Sequence, residues 1–106
     1  MAKVFVSSVI NAPIDDVWYI IGRFNGLPDW HPRFIRSEIE DGLTETTLGC
    51  VRNFSFDNGD LIREKLLALS DVDYTCTYSI LDSDVGMYDY IATLELRPIT
   101  DGNRTY

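Results

Sequence analysis

Glu64 is the residue whose surroundings in the sequence point most directly to chemistry. If residues 61–69 form a strand, one face is apolar except for a single charge, and its members are Ile62, Glu64, Leu66 and Ala68. Burying a carboxylate is costly unless it is paired, and burial raises its pKa. An inward Glu64 can therefore anchor a ligand or act as a general acid or base. The alternatives are a place at the solvated end of the strand, or an ion pair with an arginine such as Arg36 or Arg52.

Aromatic side chains recur on one face of the other predicted strands. Residues 74–80 and 88–97 alternate in polarity, as a strand with one buried face does. With residues 50–56 they give an apolar face that holds Phe54, Phe56, Tyr74, Cys76, Tyr78, Ile80, Tyr88, Tyr90, Ala92 and Leu94. Each buried tyrosine hydroxyl needs a hydrogen-bond partner. The face therefore indicates either a cavity whose tyrosines orient a partly polar, ring-bearing ligand, or hydroxyls that bond at the rim and to one another.

Other reactive residues carry weaker signals. His31 is the single histidine, and Cys50 and Cys76 have neither metal-ligand spacing nor a Cys-x-x-Cys motif. We therefore expect two free, buried thiols, no metal and no cofactor. The sequence contains no Gly-x-Ser-x-Gly motif and no phosphate-binding glycine loop. Trp30 lies in a loop bracketed by two prolines, where it either plugs the core or faces a ligand.

Composition limits the class of protein. The chain has 106 residues, 17 acidic and 9 basic side chains, and 45% hydrophobic residues, which is the make-up of one globular domain. A net charge of −8 without clustered Lys or Arg argues against binding to nucleic acid or to an anionic membrane surface. No apolar run approaches the about 20 residues of a membrane span, and no signal peptide is evident. We expect a single cytoplasmic domain over residues 1–106.

Local patterns predict the elements that position these residues. Residues 3–10 are β-branched and aromatic, which is typical of a strand, and Pro13 marks the start of a helix. The apolar positions of this helix follow the spacing i, i+3, i+4, i+7, and they are Ile14, Val17, Trp18 and Ile21. Gly22 and Gly26 end the helix, and residues 27–32 form at most one helical turn.

Strands and turns account for the rest of the chain. Strands are predicted at 33–40, 50–56, 61–69, 74–80 and 88–97. Ile35 and Ile39 are expected on one face of the first of these, and a turn is predicted at 100–103. Residues 61–69 also have good helix propensity, but the hairpin turn Asp57-Asn58-Gly59-Asp60 before them favours a strand. The order is that of an α+β fold, in which a helix packs across a curved antiparallel sheet.

Five segments in this order resemble the START/Bet v 1-like (SRPBCC) superfamily over nearly the whole chain. Asn11-Ala12-Pro13-Ile14-Asp15-Asp16-Val17-Trp18 is similar to the opening of its polyketide cyclase/dehydrase type. Phe24-Asn25-Gly26-Leu27-Pro28-Asp29-Trp30-His31-Pro32 is similar to the stretch that leads into the second strand of that type. Gly49-Cys50-Val51-Arg52, Arg63-Glu64-Lys65-Leu66 and Tyr88-Asp89-Tyr90 resemble segments of the plant abscisic-acid receptors, which belong to the same superfamily.

The resemblance implies a helix-grip fold, with a seven-stranded antiparallel sheet curved around a long C-terminal helix and a hydrophobic cavity between them. Seven residues match positions that line the receptor cavity, and they are Phe54, Phe56, Glu64, Tyr78, Ile80, Tyr90 and Ala92. The chain departs from the receptors in three ways. Its hairpin at 57–60 is too short for their Gly-Leu-Pro-Ala gate, and it has no lysine near Trp30 to Pro32. The last strand and the C-terminal helix are missing, so we expect a β-α-α-β-β-β-β-β order. We expect residues 1–106 to be a C-terminally incomplete domain, from a protein of ~140 to 150 residues.

Three functions are compatible with these residues. The first is the binding or carriage of a small hydrophobic ligand, such as a lipid, a polyketide or another aromatic or isoprenoid-like molecule. Its expected contacts are Trp30, Phe54, Phe56, Ile62, Glu64, Cys76, Tyr78, Ile80, Tyr88, Tyr90 and Ala92. The second is a cyclase, dehydratase or lyase with Glu64 as general acid/base and Tyr78 or Tyr90 as hydrogen-bond donor. The third is a protein-interaction module that buries its apolar face against a partner, for example in a homodimer.

Overall fold

The computed structural model of the chain describes residues 6–83, 90–99 and 103–106, and of Asp82 only the backbone. These residues form two helices, a 3₁₀ turn at Glu40–Gly42 and seven strands. The helices are α1 (Ile14–Ile21) and α2 (Leu27–Trp30). The strands are β1 (Phe34–Ile39), β2 (Val51–Phe56), β3 (Leu61–Ser70), β4 (Thr75–Ser83), β5 (Ile91–Glu95), β6 (Pro98–Ile99) and β7 (Arg104–Thr105). The predicted α+β class is confirmed.

Five of the strands form one antiparallel sheet in the order β1-β2-β3-β4-β5, and β6 pairs with β7. The register aligns side chains in rows across the sheet. Arg52 lies opposite Glu64, and Glu64 lies opposite Ile80. The Ile80 N–H donates to the carbonyl of Tyr90 at 2.8 Å and extends this row to the segment before β5. Residues that pair directly share a face of the sheet, so the row brings residues distant in sequence onto one surface.

Helix α1 packs on the sheet through the apolar face that its spacing predicts. Val17 and Trp18 are buried, and the indole Nε1–H of Trp18 donates to Asp71 Oδ1 at 2.9 Å. Gly22 ends the helix directly above the indole, and a Cβ atom at this position would lie 2.5 Å from the ring. A side chain here would overpack the core, which explains why glycine is required.

Two apolar clusters fill the interior. The first joins α1 to the sheet, and its buried members are Val17, Trp18, Phe24, Cys50, Leu66, Cys76 and Leu96. The second lies under α2, and its buried members are Leu27, Phe54, Ile62 and Ile80. Both cysteines are buried and free, as expected. On β3 the side chain of Glu64 lies between Ile62 of the second cluster and Leu66 of the first, so the carboxylate is at the junction of the two clusters.

The strand predictions are confirmed for most of the sheet. Residues 61–69, whose helix propensity left two readings open, form strand β3, because the hairpin turn before them returns the chain alongside β2. The segment predicted at 88–97 is a strand over Ile91–Glu95, with residues 84–89 outside the described part of the chain. Most of the turn predicted at 100–103 is also outside it, and Asn103 has the positive φ of 50° that turns favour.

The expectation that Ile35 and Ile39 share one face is wrong. The pairing of β1 with β2 shifts between Phe34 and Arg36, so the chain bulges at Ile35. An extra residue in one strand reverses the alternation beyond it. As a result Ile35 is 63% exposed, whereas Ile39 packs against the first cluster.

The strand predicted at 3–10 is not formed over residues 6–9. Ile10 alone makes an antiparallel bridge, to Thr105, with N–H to oxygen distances of 2.7 and 2.9 Å. Among the described residues, no strand pairs with residues 6–9. An extended segment without a partner strand makes no ladder, whatever the β-propensity of its residues.

Candidate functional site

A buried ion pair occupies the centre of the sheet's inner face. The Arg52 Nε–H donates to Glu64 Oε1 at 2.8 Å, and Nη2 contacts the same oxygen. The third contact of the guanidinium is Nη1–H to the carbonyl oxygen of Phe24, at 2.8 Å. Both side chains are only 7% exposed. The strands place the two residues opposite each other, and the turn after α1 supplies the carbonyl.

Three aromatic rings surround the guanidinium. The Arg52 Cζ atom lies 4.3 Å from the ring centroid of Phe24, 4.7 Å from that of Tyr78 and 5.3 Å from that of Phe54. Ring faces attract a cation, and more strongly when water is excluded. The rings therefore stabilise a charge that the apolar interior would otherwise disfavour. The result is a polar pair with an aromatic shell, which we call the Arg52–Glu64 centre.

The protonation of Glu64 is set by opposing effects. Burial raises the pKa of Glu64 above its ordinary value of 4.5, and the charge and hydrogen bonds of Arg52 oppose this rise without cancelling it. Glu40 lies on the other face of the sheet, and its pKa is shifted in the opposite direction. Hydrogen bonds from Arg63 at 2.6 and 2.7 Å lower the pKa of its carboxyl group. The chain therefore carries an inner and an outer carboxylate–arginine pair with pKa shifts of opposite sign.

We expect Glu64→Gln to change how stability depends on pH. The folded chain retains the Glu64 proton above pH 4.5, where the unfolded chain has released it. The free energy of unfolding therefore falls as the pH rises through this interval. The stability difference between wild type and Glu64→Gln, measured by urea unfolding at several pH values, should be most favourable to wild type in acid and shrink as the pH rises. Glu40→Gln is the control. Because the pKa of Glu40 is lowered, the stability difference between wild type and this variant should grow in favour of wild type as the pH rises. A constant difference for Glu64→Gln would contradict this assignment.

Tyr78 is the tyrosine that the structure brings to the Arg52–Glu64 centre. Burial raises the pKa of its hydroxyl, and the nearby negative charge of Glu64 adds to the rise. The hydroxyl therefore stays protonated and remains a hydrogen-bond donor at neutral pH. Tyr90 is the other predicted donor. Glu64 pairs with Ile80, and Ile80 bonds to Tyr90, so Tyr90 lies two strands away from Glu64 on the same face. It is 36% exposed and therefore lies at the solvent-accessible edge of that face.

The remaining predicted site residues divide between several places. Phe54, Ile62 and Ile80 are buried in the second cluster, with Phe56 packed against them. Cys76 is buried in the first cluster, and burial raises the pKa of its thiol. Ala92 lies opposite Tyr78 on β5 and is half-buried. Tyr88 falls outside the described residues.

Trp30 lies apart from the centre. It is 38% exposed and lines a groove of about 270 Å³ on α1, together with Ile10, Ala12, Asp16, Val17, Ile20 and Ile21. A second groove, of about 320 Å³, lies between residues 6–10 and β5. Neither groove has Arg52 or Glu64 in its walls, because the Phe24, Phe54 and Tyr78 rings fill the space around the guanidinium. Among the described residues these rings enclose the ion pair, which is 7% exposed, and the cavity remains a prediction.

Phe24 is the contact residue that the sequence did not reveal. It is 2% exposed, it accepts a hydrogen bond from Arg52 through its carbonyl, and its ring covers the guanidinium. It comes after the helix and opens the segment 24–32 that resembles the family, but neither periodicity nor that resemblance marks it as a contact of Arg52. Arg52 was named only as one possible partner of Glu64, because a buried arginine within a strand has no sequence signature besides its alternation with Phe54.

Two kinds of structure are absent from the described residues. No group of three or more His, Cys, Asp or Glu side chains there is arranged to hold a metal ion. No helix among them has both the length and the apolar character needed to cross a bilayer.

Comparisons with known proteins place this fold. Residues 1–106 match the model of a family described as polyketide cyclase / dehydrase and lipid transport. The structure is similar to that of the protein XoxI from Bacillus cereus, with 32% identity, a TM-score of 0.80 and 92% of this chain covered. An uncharacterised protein from Bacillus thuringiensis gives 32% identity and a TM-score of 0.79, and a protein from Nitrosospira multiformis gives 26% and 0.77, each again over 92% of this chain.

The chain is shorter than these similar structures. It covers 64% of the length of XoxI, 67% of the Bacillus thuringiensis protein and 68% of the Nitrosospira multiformis protein. Among curated proteins, none matches the chain. The family model spans the full sequence, and the first two structures combine 32% identity with the same fold. The chain therefore belongs to the polyketide cyclase / dehydrase and lipid transport family, within the START/Bet v 1-like superfamily.

Proposed function

We propose that the chain binds a small, mostly apolar ligand that carries one hydroxyl or carbonyl group, and that this group contacts the Arg52–Glu64 centre. The observation that carries the proposal is an ion pair only 7% exposed inside an aromatic shell. The family description, which names polyketides and lipids, supports a ligand of this class. The apolar part of the ligand would lie along the inner face towards β5.

The energetics of the ion pair support a role beyond folding. Replacing a buried ion pair by well-packed apolar residues is often neutral or stabilising, so such a pair is weak evidence for a stabilising role. Perturbed, buried ionisable groups are instead frequent at binding and catalytic sites. Here the pair lies where the two apolar clusters meet, and it interrupts an otherwise continuous apolar surface.

The unused polar atoms of the pair define the ligand group. Among the described residues, Arg52 donates through Nε, Nη1 and Nη2 to Glu64 and Phe24, so two of its five N–H groups would be available to a ligand oxygen. Oxygen Oε1 of Glu64 takes the contacts with Arg52, and no described residue donates to Oε2, which would accept from a ligand hydroxyl. Tyr78 adds a protonated hydroxyl beside them. The ligand would enter from the side of the half-buried Ala92 and the partly exposed Tyr90.

The test compares two ligands that differ in one hydroxyl, 2-naphthol and naphthalene, by displacement of Nile red from the purified chain. Wild type should bind 2-naphthol about ten-fold more tightly than naphthalene, the value of one buried hydrogen bond. In Glu64→Gln the ratio of the affinity for 2-naphthol to that for naphthalene should be smaller than in wild type. Glu40→Gln, which alters the pair on the outer face, should retain the wild-type ratio. Absence of displaceable Nile red, or the same preference in both variants, would contradict the proposal.

A second candidate, a cyclase or dehydratase reaction, is favoured by the raised pKa of Glu64. A carboxyl group that holds its proton closer to neutral pH is better suited to general acid/base catalysis than an ordinary one. Tyr78 would donate to the developing oxyanion. With a polyketide-type substrate, Glu64→Gln would then abolish turnover and leave the affinity for the substrate unchanged, whereas a binding protein shows no turnover in either form.

A further inference from the structure

The sequence contains two Asn-Gly pairs, Asn25-Gly26 and Asn58-Gly59. An asparagine followed by glycine is especially prone to spontaneous deamidation, because glycine has no side chain to shield its backbone nitrogen from the asparagine amide. This rule applies equally to both pairs. The structure, by contrast, places the two pairs in different surroundings.

Asn25-Gly26 is held by packing and by hydrogen bonds. Asn25 is half-buried and Gly26 is buried. The side-chain Oδ1 of Asn25 accepts from the Ser37 hydroxyl at 2.7 Å, and its backbone N–H donates to Glu45 at 3.3 Å. A Cβ atom at Gly26 would lie 3.2 Å from the Cβ of Arg23. Reaction between the side-chain amide and the Gly26 nitrogen therefore requires this part of the core to open first.

Asn58-Gly59 lies at the tip of the hairpin between β2 and β3, where both residues are exposed. Gly59 has a φ of 92°, and a Cβ atom there would have no described atom beyond its chain neighbours within 4 Å. The Gly59 N–H donates to the carbonyl of Phe56 at 3.0 Å, and the Asn58 amide donates to Asp60 Oδ2 at 3.2 Å. Water replaces such surface hydrogen bonds when a turn opens, so opening costs little free energy.

A donor for the charge that develops during the reaction is present at both pairs. Attack on the side-chain Cγ places negative charge on Oδ1, and an N–H or O–H directed at this oxygen stabilises it. Oδ1 of Asn58 accepts from the Asp60 N–H at 3.0 Å, as Oδ1 of Asn25 accepts from Ser37. The two pairs therefore differ in access to the glycine nitrogen rather than in activation of the amide.

We propose that Asn58 is a site of spontaneous modification, at which the chain deamidates to an isoaspartyl residue, and that Asn25 is protected. The backbone nitrogen of Gly59 loses its proton to hydroxide and attacks Cγ of Asn58. The bond from Cγ to Nδ2 breaks, ammonia leaves, and a five-membered succinimide ring forms. Water then opens the ring and gives an aspartyl or an isoaspartyl residue. The net reaction converts the amide and water to a carboxyl group and ammonia, with no oxidation or reduction.

An isoaspartyl residue at this position lengthens the main chain of the hairpin by one carbon atom. The hairpin closes through the Phe56 N–H, which donates to the Asp60 carbonyl at 2.9 Å. Beyond this bond the strands pair residue by residue, as far as Arg52 opposite Glu64. The extra atom does not fit the turn, so the modification should loosen the end of the hairpin nearest to it.

The test incubates the purified chain at neutral and at mildly alkaline pH. Isoaspartate is followed with a protein isoaspartyl methyltransferase and a labelled methyl donor. Wild type should gain label with time, and faster at alkaline pH, because the attacking nitrogen must lose its proton. Peptide mapping by mass spectrometry should locate the conversion at Asn58, with about ten-fold less at Asn25, since two hydrogen bonds and buried contacts must first be broken there.

Asn58→Gln is the matched variant, because glutamine would have to close a six-membered ring and reacts far more slowly. It should gain little label, whereas Asn25→Gln should gain as much as wild type. Amide hydrogen exchange at Phe56, followed by NMR, should be faster in the incubated wild type than in fresh protein. No conversion in wild type, conversion at Asn25 as fast as at Asn58, or unchanged exchange at Phe56 after conversion would overturn the proposal.

Discussion

Arg52→Met is expected to lower the free energy of unfolding by about 3–5 kcal/mol at neutral pH. The variant leaves the carboxylate of Glu64, which is only 7% exposed, without its counter-charge between Ile62 and Leu66. Burial already raises the pKa of Glu64, and loss of Arg52 removes the positive charge and the hydrogen bonds that oppose this rise. Guanidinium unfolding monitored by the tryptophan fluorescence measures the change.

The double variant Arg52→Met/Glu64→Leu distinguishes a cost of burial from a cost of lost contacts. It removes both charges and keeps apolar volume, so we expect the free energy of unfolding to return to the wild-type value or to exceed it by about 1–4 kcal/mol. Arg63→Met is the control on the outer face, where its pairing with Glu40 is partly exposed and should be worth only about 0–1 kcal/mol. A double variant as unstable as Arg52→Met would show that the ion pair itself stabilises the fold.

Phe24→Ala is expected to cost about 3–5 kcal/mol of stability, because it empties a fully buried aromatic position. It also removes the ring 4.3 Å from the Arg52 guanidinium and opens the shell over the ion pair. The variant should therefore bind Nile red more tightly than wild type, in proportion to the space created. Phe24→Leu should give a smaller change in both quantities. Thermal unfolding and Nile red titration measure the two effects.

Leu27→Ala is the matched control for this prediction. Leu27 is 6% exposed and belongs to the second cluster, so its truncation should cost about 2–5 kcal/mol without opening the shell. If Leu27→Ala raises Nile red affinity as much as Phe24→Ala does, the increase reports general loosening of the core. If neither variant changes it, Phe24 does not close the ligand site.

The sequence was most informative where a local rule decides the structure. The spacing in α1 predicted which residues face the sheet, and the alternation on β3 predicted that Glu64 points inward. Each of these depends on the period of one element, which can be read without knowing what packs against it. The two cysteines were expected to be free and buried because they lack metal-ligand spacing and a Cys-x-x-Cys motif.

Features that depend on pairing between elements could not be read in this way. The bulge at Ile35 arises from the register in which β1 pairs with β2, and no residue type in β1 predicts it. Residues 6–9 have strand propensity, but a strand also needs a partner in register. Phe24 covers Arg52, which is 28 positions further along the chain, because α1 and the sheet are brought together by packing. The resemblance to abscisic-acid receptors and the cytoplasmic location both remain predictions.

Native mass spectrometry of the purified chain tests the central claim most directly, since it shows whether a small molecule occupies the interior. After incubation with 2-naphthol, the wild-type chain should retain one molecule, and the Arg52→Met/Glu64→Leu variant should retain much less. That variant is expected to be folded and at least as stable as wild type, so lower retention cannot be attributed to unfolding. Equal retention by the two proteins, or no retention by wild type, would contradict the proposal that the Arg52–Glu64 centre anchors the ligand.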